Sequence, residues 1–112
     1  MALEVRLVRL ACHVTEDDIG ADEPYLNYNG ERVFGPRSLN DGQTATLGVV
    51  RRMTGPAAVD LFDEDSPDRD DPLGRVTIFP HEAGLGQRFQ EFRGDGAHYT
   101  LFYRVSQAPD DE

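Results

Sequence analysis

The stretch from Val59 to Gly74 sets seven carboxylates, Asp60, Asp63, Glu64, Asp65, Asp68, Asp70 and Asp71, together with Arg69, between two apolar runs. A second acidic window, Glu16 to Glu23, holds five acids in eight residues; the two windows together carry twelve of the chain's twenty-one acids. Two carboxylates about 4 Å apart repel by roughly 4 kcal/mol at an effective dielectric of about 20, so a cation or surrounding water must offset the crowding. Carboxylates are hard, anionic ligands that bind one ion or bridge two, and calcium takes six to eight oxygens in flexible geometry. If both windows emerge at one end of the fold, their carboxylates form an oxygen cup suited to calcium. The alternative is two solvated acidic loops that never meet.

The elements that must position these acids read as strands. Leu3, Val5 and Leu7 alternate with Glu4 and Arg6, and the apolar phase then shifts to Val8, Leu10, Cys12 and Val14, as in a strand carrying a bulge. Segments 24–28 and 31–34 flank Asn29-Gly30, a dipeptide that tolerates the positive φ angles of a tight hairpin. Asn40-Asp41-Gly42, Thr54-Gly55-Pro56 and Gly94-Asp95-Gly96 punctuate further strands expected at 44–53, 57–63, 74–80, 87–93 and 97–106. No stretch of twelve or more residues shows a helical apolar period, so the expectation is all-β: an eight-stranded antiparallel β-sandwich over residues 1–106. Residues 107–112, with Pro109 and three acids, are expected to form a disordered acidic tail.

At 112 residues the chain has room for one domain, and its hydrophobic content of 38% is patterned, which argues for folding despite a net charge of −10. That charge disfavours nucleic-acid binding and basic-patch membrane binding; an anionic partner needs a bridging cation. All eleven basic residues are arginine, a fact to which we attach little functional weight. The single cysteine, Cys12, forms no intrachain disulfide, and its strand position suggests a small buried hydrophobe. The N-terminal segment breaks its apolar residues with charges, so neither a signal peptide nor a transmembrane segment is read from it; a cytoplasmic location or leaderless export is expected.

Two segments resemble the C2 domain, a calcium-binding β-sandwich whose loops often dock on phospholipid. The family's third-loop pattern matches Asp63, Asp65, Asp71 and Gly74 without a gap. Its first-loop pattern, D-x-x-G-x-S-D-P-Y, is met by Asp17, Gly20, Pro24 and Tyr25, with Val5 and Leu7 matching the preceding strand. The departure falls on a ligand: the family's Asp before Pro-Tyr is Glu23 here, and Asp22 occupies the serine position. Side chains alternate across a strand, so one of Asp22 and Glu23 faces the cup, and the sequence leaves open which. The resemblance fades between the loops, where only Leu39-Asn40 survives of the family's L-N-P-x-W segment. It implies a divergent C2-like module in which Asp17, Asp22 or Glu23, Asp63, Asp65 and Asp71 bind one or two Ca2+, with the Glu64 carbonyl as a backbone ligand. Against this, Asp17 and Asp18 can cap a turn, Asp71 can satisfy loop amides, and Asp63 can pair with Arg69.

Other chemistries fail on spacing. An EF-hand counted from Asp63 puts Pro67 at its fifth position and Asp68 where glycine is required, and His81-Glu82 has Leu85 where a zincin needs its second histidine. His13, His81 and His98 read as isolated, and Tyr25, Tyr28, Phe62, Phe79, Tyr99 and Tyr103 as core. With no nucleophile and base in view, no enzyme is expected. The expected function is a calcium-binding interaction module whose ordered loops meet a protein partner or, through the ion, anionic phospholipid. The competing reading is a structural or protein-interaction domain in which calcium only stabilises or plays no part.

Overall fold

The computed structural model describes residues 2–16, 20–65 and 67–109. Eight strands run in chain order: β1 (Leu3–Val14), β2 (Pro24–Tyr28), β3 (Glu31–Phe34), β4 (Thr44–Met53), β5 (Ala57–Asp63), β6 (Asp71–Ile78), β7 (Gln87–Phe92) and β8 (His98–Gln107). They form two four-stranded antiparallel sheets, ordered β4-β1-β8-β7 and β3-β2-β5-β6. The fold is the expected all-β sandwich.

Alternation along the strands builds the core. Val5 and Leu7 point inward from β1; the register then slips between Leu7 and Arg9 against both neighbours, and Leu10 and Cys12 resume the inward phase. Without that bulge the second half of β1 would turn its apolar residues to solvent. Tyr99, Leu101, Tyr103 and Val105 lie beside them on the same inner face from β8, and Ala57, Val59 and Leu61 close the core from β5 in the other sheet. Asn29 and Gly30 both take positive φ, 48° and 87°, the requirement of a two-residue hairpin turn between β2 and β3.

Several expectations change. β6 starts at Asp71 rather than 74, because Asp71 pairs with Asp63 and Pro72 with Phe62; β6 is an edge strand, where proline's missing N–H costs little. β8 includes Gln107, and Ala108 is buried with its N–H donating to the Ala2 carbonyl at 2.9 Å, so order extends past the expected start of the tail at 107. Residues 110–112 lie outside the described residues. Phe79 is exposed and stacks on His81 rather than entering the core. His13 and His98 are not isolated: their ring centroids lie 4.5 Å apart, with His13 on the Thr100 hydroxyl and His98 on the Glu91 carboxylate.

Candidate metal centre in the acidic loops

Both acidic windows leave the sandwich at the same end. Pro24, which opens β2 after the first window, pairs in register with Asp63 at the end of β5, and Asp63 pairs with Asp71 at the start of β6. Asp63 continues the inward phase of Ala57, Val59 and Leu61, so alternation carries its carboxylate to the rim of the core, where it is only 3% exposed. Asp71 holds the same phase as buried Leu73 on the neighbouring strand. Glu16 approaches from the first loop. Carboxylate oxygens of Glu16, Asp63 and Asp71 all lie within 4.8 Å of one another.

The two loops are stitched together by backbone. The Glu23 N–H donates to Asp63 Oδ1 at 2.7 Å, and the Glu64 N–H donates to the Glu23 carbonyl at 3.0 Å. These bonds hold the Asp63 carboxylate beside the first loop rather than in water. Such a charge-assisted bond offsets part of the cost of bringing acids together.

The other expected ligands fall in different places. Asp22 is fully buried and turned away into the sandwich: Oδ2 accepts the Tyr99 hydroxyl at 2.7 Å and the Glu16 N–H at 2.8 Å. Its backbone exchanges two hydrogen bonds with Leu39, both at 2.9 Å, forming an isolated bridge. Asp22 therefore props the first loop from below, and Glu23 is the exposed member of the pair. Burial, followed by the bond to Asp22, pushes the Tyr99 hydroxyl far above the ordinary phenol range, which keeps it a donor.

Glu64 and Asp65 are exposed at the third-loop tip, outside the three-carboxylate cluster. Asp17 lies outside the described residues. Asp70, which the spacing did not single out, accepts the Tyr25 hydroxyl and, at 3.4 Å, the Asp65 N–H, and so shapes the third loop. Tyr25 is itself sandwiched, with the Arg32 guanidinium 3.9 Å from its ring centroid on one contact and Phe62 stacked at 5.3 Å on another. Glu16 was legible only as part of an acidic window; nothing in its spacing marked it.

The donor set is all oxygen. Three carboxylates from three separate segments fit a hard divalent cation, calcium or magnesium, and lack the thiolate and imidazole donors that favour zinc or copper. Among the described residues no histidine or cysteine joins the cluster.

The architecture and its acidic end define a C2-like β-sandwich. No family model matches the sequence, and no curated protein does. Among solved structures, the C2A domain of plant extended synaptotagmin 1 aligns with 99% of this chain and 96% of its own, at a TM-score of 0.67 and 13% identity. The C2A and C2B domains of extended synaptotagmin 2 align at a TM-score of 0.59 and 23% identity over 94% of this chain, which spans 40% of that structure. The calcium-bound form of the same pair aligns at 0.61 and 19% identity, over 93% of this chain and 44% of that one. These likenesses show the C2 fold. No helix among the described residues is long and apolar enough to cross a membrane.

Proposed function

We propose that the chain is a calcium-binding interaction module, in which Ca2+ is held between the first and third loops and orders them as a surface for a partner. The observation that carries this reading is the convergence of the Glu16, Asp63 and Asp71 oxygens within 4.8 Å at the loop end of the sandwich. Asp65, with its carboxylate on the same loop, and Asp17 complete the ligand set for one or two ions. A bound ion relieves the mutual repulsion of the carboxylates and locks the stitch between Glu23, Asp63 and Glu64. The calcium-bound extended-synaptotagmin structure of the same fold supports the choice of ion. The partner is a protein or, through the ion, an anionic phospholipid; the exposed tip carries Pro67, Asp68 and Arg69.

Thermal unfolding in chelator, in millimolar magnesium and in a calcium titration tests the reading. A ligand at 100 times its Kd stabilises by about 2.7 kcal/mol, so a calcium-selective rise in Tm is expected, and Asp63→Asn with Asp71→Asn should abolish it. No rise at millimolar calcium overturns the reading. Sedimentation with phosphatidylserine vesicles, with and without calcium, then separates a lipid target from a protein one.

A further inference from the structure

At the opposite end of the same sandwich two arginines stand side by side on one sheet. Val5, Leu7, Tyr103 and Val105 point inward, so Arg6 of β1 and Arg104 of β8 stand on the outer face, and they are direct cross-strand partners in register. Like charges placed opposite one another destabilise a sheet unless something neutralises them. Among the described residues no carboxylate forms an ion pair with either arginine, whereas Arg51, Arg75, Arg88 and Arg93 each have one. Glu4, the nearest acid along β1, has Arg52 as its register partner on β4.

Both arginines line one cleft of about 680 Å³, walled by Glu4 of β1, by Ser106 and Gln107 of β8 and by Gly84 and Gly86 of the loop before β7. The loop is fixed to the sheet by the Gly84 N–H on the Val105 carbonyl at 3.2 Å. At both glycines the space a Cβ would occupy has no heavy atom within 4 Å, so the cleft is open on that side to an approaching ligand. The acidic loops do not reach it: Arg6 to Val14 is eight residues of strand, roughly 26 Å at about 3.3 Å per residue, about three Debye lengths at physiological salt.

We infer that this cleft is an anion site in which Arg6 and Arg104 clamp a single phosphate-monoester group, with Ser106 and Gln107 supplying neutral hydrogen bonds. Two guanidinium forks on neighbouring strands outnumber the one carboxylate on the cleft wall, Glu4, and each fork donates in a plane suited to phosphate oxygens. The group can arrive on a soluble metabolite or as a lipid headgroup.

Titration calorimetry of the whole chain with inorganic phosphate, at constant ionic strength in calcium-free buffer, tests the site. Saturable binding is expected at pH 7.5, competed by sulfate, and weaker at pH 5.5 where phosphate loses its second charge. Arg6→Gln and Arg104→Gln should each weaken it at least tenfold, while Arg51→Gln, whose guanidinium already pairs with Glu31, should leave it unchanged. An unsaturable response, or one equal in the Arg6→Gln/Arg104→Gln variant, overturns the site. Arginine-dependent binding of glycerol 3-phosphate assigns a soluble ligand; arginine-dependent sedimentation confined to phosphatidic-acid vesicles assigns a headgroup.

Discussion

At the scale of single residues, two of the three buried acids among the described residues, Asp22 and Glu82, serve the fold, while the third, Asp63, lies in the carboxylate cluster. Asp22 is held by Tyr99, a contact between residues 77 apart in sequence, and serves the sandwich. Tyr99→Phe removes one donor from a buried carboxylate, and about 1–3 kcal/mol of stability should go with it, measured by denaturant unfolding, with the calcium-dependent rise in Tm retained. Glu82 is a second buried acid, at the other end. Burial pushes its carboxyl up, but the Tyr103 hydroxyl, the Phe79 N–H and Arg88 outweigh this and hold it below the ordinary value of 4.5. Its stabilising contribution is thus fully present above the unfolded value and lost as pH falls through the lower folded value. The Tm advantage of the native chain over Glu82→Gln should shrink between about pH 6 and pH 3. Asp63 and Asp71 were named from the third-loop pattern of the resemblance, and both sit at strand ends, where alternation with Leu61 and Leu73 sets their direction. Glu16 escaped it because a loop has no period, and Asp22 is bridged to Leu39, a partner outside either loop pattern.

At the scale of elements, nearly every strand was legible from alternation and turn chemistry, including the slip after Leu7. The edges were harder. The start of β6 was hidden because Pro72 reads as a break in sequence, and only its edge position lets it sit in a strand. The connection between β7 and β8 holds a tighter constraint: a Cβ at Gly94 would stand 2.6 Å from the Leu73 carbonyl carbon and oxygen. That turn from one sheet presses on the backbone of the other, just behind the strand that carries Asp71. Gly94→Ala must push the two sheets apart locally, and a loss of about 1–3 kcal/mol is expected. Thermal unfolding checks it: the drop should be several degrees at about 4–8 °C per kcal/mol for a domain of this size.

At the scale of the whole molecule, charge is sorted along the long strands: acids gather where β1 and β5 end, while Arg6 and Arg104 have no ion pair among the described residues where β1 begins and β8 closes. The net charge of −10 hides this polarity, which is why composition alone pointed only to the acidic end. The bond from Ala108 to Ala2 adds a property of another kind. It brings the described ends of the polypeptide side by side, on the face away from the acidic loops, so connectivity and architecture are separable. A circular permutant that joins these ends through a short glycine-serine linker and opens the chain between Asn29 and Gly30 should fold to the same circular-dichroism spectrum and keep its calcium response. For the same reason the sandwich is suited to being spliced into a surface loop of a host protein, since entry and exit occupy a single point and impose no stretch on the recipient.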